Sequence, residues 1–312
     1  MPAIGIAYAA DDFPARPIRL VSPFAPGGGN DLVSRTLAQA LAKNIGQSVV
    51  VDNRPGATSI IGMELIARSA PDGYTLVMTS STLAINVTLY PRLPYDSIRD
   101  FSPVSLVATT PLILAVHPSQ PVTTVAELIA LAKAKPGELF FPSAGTGDAP
   151  HLAAELFNIV AGVKLVHVPY KGAAIGINDL VAGRLALMFG TSPTTLPYVR
   201  AGRLRAIAVT GLKRSAVMPE LPTVAESGLP GYESGSWYGV LAAAKTPHAV
   251  VARLAAEISS ALQSADVRER LKAQGVDPVG NSPEQFAAYI KLEIVKWAKV
   301  MQAANIRADA AN

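Results

Sequence analysis

The sequence predicts an α/β fold with two lobes around a cleft, and three observations carry that prediction. Short apolar and β-branched runs alternate with amphipathic helical stretches along the 312 residues, as in strand–helix–strand units with largely parallel sheets. Glycine-rich turns twice join a strand to a helix, at 24–30 and 143–147. The length suits two domains of roughly 100–200 residues each.

The opening unit reads as a strand at 18–24, a turn through Pro26 and three glycines, and a helix with Val33, Leu37 and Leu41 on one face. Strands follow at 48–51, 75–79, 104–108 and 112–116. Thr124 and Glu127 stand at capping-box spacing ahead of LIALAKAK and mark a helix start. A second unit, KPGELFFPSAGTGDAPHLAAELF, repeats the grammar: a strand at 139–142, a glycine-rich turn, and a helix with Leu152, Leu156 and Val160 as its stripe. Further strands are expected at 165–168, 185–189, 206–210 and 239–243. Val250, Leu254, Ile258 and Leu262 mark a long helix after Thr246. Ser282, Pro283 and Gln285 open the last helix, whose stripe is Phe286, Ile290, Ile294, Trp297 and Met301. These late helices need a sheet to cover, and the first lobe is the natural host. That makes lobe 1 discontinuous, 14–111 with 238–312, around a lobe 2 of 112–237. Two crossings near 109–116 and 237–243 then form a hinge.

Composition narrows the function. Hydrophobic residues make up 50% and charged ones 16%, a globular balance. The net charge is only +4 and no long basic run occurs. The densest basic group, Arg200, Arg203 and Arg205 with Lys213 and Arg214, reads as a solvated face, so no nucleic-acid partner is expected. The absence of cysteine excludes disulfides, thiol nucleophiles and Cys-based zinc sites. No window offers the ~18 apolar residues of a membrane span. Residues 1–13 read as a residual signal or tail: Ala7-Tyr8-Ala9 before a charged start resembles the end of a secretory signal, with its basic region and longer apolar stretch missing.

The two glycine-rich turns carry the chemistry. A helix start exposes unpaired N–H groups and a partial positive charge, and so favours anions. In PFAPGGGND the amides of Gly27, Gly28, Gly29 and Asn30 can converge on one ligand oxygen; in SAGTGDAPH those of Ser143, Gly145, Thr146 and Gly147 can do the same. Neither is a P-loop, since no Lys follows, and GTGDAP breaks the dinucleotide fingerprint, with Asp148 where a pyrophosphate would approach. Each turn alone is also compatible with a plain tight βα connection. Two on opposite lobes suit a dicarboxylate, one carboxylate per helix start. Catalysis is poorly supported: no Gly-x-Ser-x-Gly elbow occurs, and His117, His151, His167 and His248 are scattered without a metal-binding spacing. No catalytic residue, metal or cofactor is expected. An enzyme acting on a small carboxylate in the cleft stands as the alternative. His151 reads either as a ligand contact or as a structural hydrogen-bonding group. Asp31 serves the helix dipole. Tyr170, at a strand end in VPYKG, is open between the cleft and the scaffold.

Several stretches taken together resemble the Bug (TctC-like) family of extracytoplasmic solute receptors of tripartite tricarboxylate transporters: PFAPGGGND, DNRPGATSIIGMELIARSAPDGYTL, VAELIALAKAKPGELFFPSAGTGDAPHLAAELF, VPYKG, DLVAG, LPTVAESGLPGYESGSWYG and KWAKVMQAANI. The resemblance covers the chain from Pro14 onward. It implies a two-lobed periplasmic-binding-protein fold of type II, with two parallel-rich sheets flanked by helices, a two-stranded hinge, and closure over a small organic anion. It implies carboxylate capture by one loop with Phe24, Pro26, Gly28, Gly29 and Asn30, and by a second with Ser143, Gly145, Thr146 and Gly147. Thr79, Ser81, Thr82, Tyr170, Gly190, Thr191, Ser192 and Trp237 would line the cleft, with His151 beside them. It further implies a periplasmic monomer that hands its ligand to membrane transporter subunits or to a sensor ectodomain. Three places depart from the family pattern. A glycine-richer stretch reads GATSIIG here, the usual Pro-Ala after PYKG is missing, and Gly190 stands where amino-acid-binding members place Asp. Without that counter-charge the expected ligand lacks an amine: a dicarboxylate or an aromatic carboxylate.

Overall fold

The computed structural model describes residues 13–304 and 306. The signal-like reading of residues 1–13 falls, except for Phe13, outside the described residues. Strand β1 (Ile18–Ser22) feeds helix α1 (Gly29–Ile45), followed by β2 (Val49–Asn53), α2 (Ile60–Ala67), β3 (Thr75–Ser80), α3 (Thr82–Leu89) and β4 (Phe101–Thr110). Pro111 leads into β5 (Leu112–Val116), then α4 (Val125–Ala134), β6 (Phe140–Ser143), α5 (Ala149–Ala161), β7 (Val166–Pro169), α6 (Ala173–Val181), β8 (Leu187–Thr191), α7 (Ser192–Arg200) and β9 (Arg205–Val209). The chain returns as β10 (Ser236–Ala243) and ends in α8 (His248–Gln263), α9 (Ala265–Ala273), β11 (Asp277–Pro278) and α10 (Pro283–Ala304).

One sheet has the order β11-β4-β10-β3-β1-β2. In the other half β8-β5-β9 form a sheet, with the β6-β7 pair alongside. The Ala186 N–H donates to the Phe140 carbonyl at 3.0 Å and ties that pair to the β8 side. Both halves therefore repeat one neighbour order, β2-β1-β3-β10-β4 and β7-β6-β8-β5-β9. The parallel pairing expected from strand–helix alternation is present where β1 meets β2 and β3, and where β6 meets β7. The strands that carry the crossings, β10 and β5, run antiparallel to both neighbours. Alternation cannot reveal that, because these strands enter their sheets directly from the other half rather than through a helix.

Helices cover both faces of the first sheet. Val33, Leu37 and Leu41 of α1 share a buried cluster with Val250, Leu254, Ile258 and Leu262 of α8. Phe286, Ile290, Trp297 and Met301 of α10 close the opposite face. Each stripe follows the 3.6-residue period in the sequence. Helix α5 differs: Val160 is 39% exposed, and the buried face is Leu152, Ala153, Ala154, Phe157 and Ala161. Alanines let this helix lie close to its sheet, so its core face is not the row of largest side chains. Thr124 caps α4, with its Oγ1 accepting from the Glu127 N–H at 3.2 Å and the Glu127 carboxylate returning to the Thr124 amide.

The crossings meet at one residue. The Leu112 N–H donates to Thr210 Oγ1 at 2.8 Å, and the Thr210 hydroxyl donates to the Ser234 carbonyl at 2.8 Å. Ser236 and Trp237 already pair with Thr110 and Thr109 in the first sheet. The second crossing thus lies slightly earlier than the 237–243 stretch read from the sequence.

Candidate ligand-binding site

Between the two halves lies a cavity of about 70 Å³. One water centre needs roughly 10–15 Å³, so the space suits a molecule of a few heavy atoms. Its wall contains the starts of five helices among the described residues: Gly28 and Gly29 of α1, Ser81 and Thr82 of α3, Asp148 to Pro150 of α5, Gly172 and Ala173 of α6, and Thr191 and Thr194 of α7. Four of these starts, α1, α3, α6 and α7, carry no side-chain cap. Their first N–H groups have no intrahelical acceptor and are available to a ligand. No Lys, Arg or His is among the lining residues, and Asp148 is the one ionisable carboxyl there. An anion would be held by backbone dipoles, without the desolvation cost of a buried cation.

The first loop is braced from behind. Asn30 Oδ1 accepts from the Ser22 hydroxyl at 2.8 Å, and its Nδ2 donates to the Met78 carbonyl at 2.8 Å. Its side chain is therefore spent on positioning. Asp31 is buried and accepts from the Gly27 N–H (3.0 Å), Asn53 Nδ2 (2.9 Å) and Arg35 Nε (3.1 Å). Burial alone would raise its carboxyl, but these donors outweigh it and hold the group below the ordinary range.

The second loop is built differently. Asp148 caps α5, with Oδ1 accepting from the His151 N–H at 2.9 Å and Oδ2 from the Ala144 N–H at 2.7 Å. The Gly145 N–H goes to Ser143 Oγ (3.1 Å) and the Gly147 N–H to His151 Nδ1 (2.9 Å). Ser143 Oγ also lies 2.7 Å from His167 Nε2. Burial pushes the Asp148 carboxyl up to about 7, even against these amides. Burial, then the neighbouring His167, pushes His151 down to about 3, so its ring is neutral.

Half of the cleft residues read from the sequence line the cavity: Phe24, Gly28, Gly29, Asn30, Ser81, Thr82, Ser143, Gly190 and Thr191. The rest are placed elsewhere, each for a visible reason. Pro26 is exposed at the loop tip. Thr79 is buried within β3. Gly145, Thr146 and Gly147 meet the other half instead, where the Thr58 hydroxyl donates to the Thr146 carbonyl at 3.3 Å and a Cβ on Gly147 would strike Leu89. The His151 ring stacks on His167 at 3.8 Å. Tyr170 donates its hydroxyl to Asp179 at 2.7 Å. Ser192 donates to the Pro111 carbonyl at 3.1 Å, beside the β4–β5 junction. Trp237 is buried in the core and donates its indole N–H to Glu293 at 3.0 Å.

The sequence reading missed Tyr238, Ser236, Thr194, Pro142, Met188 and Asp148 as lining groups. The Tyr238 hydroxyl is buried in the wall without a geometrically adequate partner among the described groups. Strand alternation could have found it: with Trp237 turned to the core, Tyr238 faces the opposite side. Nothing in the sequence chooses between the two orientations. The two walls come close at Gly172 and Ala25, where a Cβ on the glycine would stand 3.1 Å from the alanine methyl.

The fold is shared with known proteins. The chain is 40% identical over 301 residues to protein BugT of Bordetella pertussis, spanning 96% of this chain and 92% of that one. A structure described as R. palustris Rpa4515 with adipate superposes with a TM-score of 0.93 at 38% identity, covering 96% of this chain and all of that one. MatC (Rpa3494) from Rhodopseudomonas palustris with bound malate gives 0.87 at 32% identity, covering 92% and 99%. The family model for the tripartite tricarboxylate transporter family receptor matches residues 33–306. Two halves of one strand order, helix starts aimed at the space between them, and this match over most of the chain lead to one conclusion: the protein belongs to the TctC family of tripartite tricarboxylate transporter receptors.

Proposed function

We propose that this protein is a periplasmic receptor that captures a small organic carboxylate without an amine, closes over it, and delivers it unchanged to membrane transporter subunits or to a sensor. The observation that carries this reading is the convergence of four uncapped helix starts on one cavity without a lining cation. That field favours a carboxylate. The adipate and malate held by its structural neighbours support the same ligand class. The absence of an amine is supported by Gly190. A Cβ there would strike the Thr195 hydroxyl and stand 2.5 Å from Met188 Cε, so the acidic counter-charge cannot sit at this position without rearrangement.

The halves act as lobes 14–111 plus 238–312 and 112–237, moving about the two crossings. The receptor works as a monomer, with ligand shifting an open–closed equilibrium. Isothermal titration against matched acids and amino acids tests this reading, together with mass spectrometry of the recovered ligand. Binding of an acid returned intact is the expected result. Preference for an amino acid over its deaminated analogue, or chemical change of the ligand, overturns it.

A further inference from the structure

The two loops that face the cavity are not equivalent. At α1 the helix start is uncapped, and the Gly28–Gly29 segment is open to an incoming anion. At α5 the chain supplies its own carboxylate. Asp148 is 4% exposed, lines the cavity, and accepts from the Ala144 and His151 amides at 2.7 and 2.9 Å. The amides of Gly145 and Gly147 are taken by Ser143 and His151. A ligand carboxylate arriving on this side finds those donors engaged and an acidic group already present.

No Lys or Arg stands beside it among the lining residues. The titratable residues around it are His151 and His167, stacked at 3.8 Å, and Glu155, whose Oε1 is 3.7 Å from His151 Nε2. The His151 ring uses Nδ1 to accept from the Gly147 amide, as a neutral imidazole does. The neighbouring wall is apolar, with Pro142, Ala173 and Met188. In so small a space two carboxylates cannot both stay ionised without a cost.

We propose that Asp148 is a specificity-determining residue that gives the cleft a charged end and a neutral end. One carboxylate docks at the α1 start, and the group that reaches Asp148 is apolar or donates a hydrogen bond. The favoured ligand is therefore a monocarboxylate rather than a dicarboxylate. This narrows the carboxylate-receptor reading and rests on it.

The test is isothermal titration of the full-length protein with two matched pairs, hexanoate against adipate and benzoate against terephthalate. It is run on wild type, Asp148→Asn and Asp148→Ser. Asn and Ser are also strong helix caps, so both variants keep the α5 start, and thermal unfolding checks that they fold. Wild type is expected to prefer the monocarboxylate of the pair it binds by about tenfold or more, since like charges brought together in an interface are strongly penalised. In both variants the ratio of dicarboxylate to monocarboxylate affinity rises about tenfold. Preference of wild type for the dicarboxylate, or selectivity unchanged in both variants, overturns the proposal and leaves the receptor reading standing. If wild type binds none of a broad panel of small carboxylates, the receptor reading fails and the proposal falls with it.

Discussion

Gly29 and Thr191 meet across the cleft so closely that a Cβ on the glycine would lie 2.8 Å from Thr191 Oγ1 and collide with the Tyr238 hydroxyl. Gly29 starts α1 in one half, and Thr191 ends β8 in the other. One methyl group at this point strikes Tyr238 of its own half as well as Thr191 of the other, so it strains the first half and opposes closure. Gly29→Ala should weaken ligand binding by about tenfold or more, as expected of overpacking worth 1–3 kcal/mol. The melting temperature without ligand should also fall, because the Tyr238 hydroxyl lies in the same half. Titration calorimetry together with small-angle scattering checks this, and ligand-induced compaction equal to wild type would contradict it.

The neighbouring glycine behaves differently. A Cβ on Gly28 would have only the Ala25 carbonyl nearby, at 3.7 Å. Gly28→Ala should therefore be tolerated, while Gly28→Leu fills the loop that holds the ligand and abolishes measurable binding. Wild-type affinity in the leucine variant would remove the α1 start as the anchoring point.

Ala57, Thr58 and Ser59 all adopt positive φ, at 45°, 47° and 77°. These positions fall within GATSIIG, the stretch poorer in glycine than the family pattern. The left-handed conformation costs a non-glycine residue about 1–2 kcal/mol, partly offset by the greater unfolded-state freedom of glycine. Ala57 is exposed. Ala57→Gly should stabilise the protein by about 0.5–1 kcal/mol, raising the midpoint of thermal unfolding by roughly 2 °C. A lowered midpoint would refute the strain argument.

His151 and Asp148 pull the pH dependence of stability in opposite directions. Folding removes a proton from His151 between about pH 3 and 6.5, so its contribution falls as pH drops through that window. Asp148 keeps a proton in the folded chain between 3.8 and about 7, so its contribution rises as pH drops. Each slope is at most about 1.4 kcal/mol per pH unit. The wild-type curve should be nearly flat where the windows overlap. His151→Gln should gain stability on acidification from pH 6.5 towards 4, and Asp148→Asn should lose it. Urea midpoints across that range measure both, and curves parallel to wild type would exclude the pairing.

Trp237 is buried in the core cluster of α10 and β10. Its indole N–H and that of Trp297 both donate to Glu293, at 3.0 and 2.9 Å. Trp237→Phe should cost about 1.5–3 kcal/mol, the worth of a hydrogen bond to a charged group. Affinity should fall less than about tenfold, because Trp237 reaches the cavity only through its chain neighbours Ser236 and Tyr238. A tenfold loss of binding with unchanged stability would return Trp237 to the cleft.

Much of the fold was legible because periodicity reports burial. The α1, α8 and α10 stripes are long, and each faces a single layer. The capping box at Thr124 is local chemistry and needs no tertiary context. Helix α3, TLAINVTL, was not legible, since β-branched residues disfavour helix and only its buried environment selects it. In the site, the glycine loops showed where a helix start would lie. They did not show whether its amides stay free. The α1 and α5 loops look alike as text, yet Asp31 takes the Gly27 amide in the first, while Asp148, Ser143 and His151 take those of Ala144, Gly145 and Gly147 in the second. Which of Trp237 and Tyr238 faces inward depends on strand register, which the sequence pattern leaves open.

The place of β10 between β3 and β4 has a consequence for how the chain is made. The middle of the first sheet is supplied only after the whole second half has been synthesised. Until then β3 and β4 have no strand between them, and the early segment cannot finish its core. Such late, long-range pairing delays folding. A polypeptide built in this order stays without the strand that joins β3 to β4 until residues Ser236–Ala243 have been made.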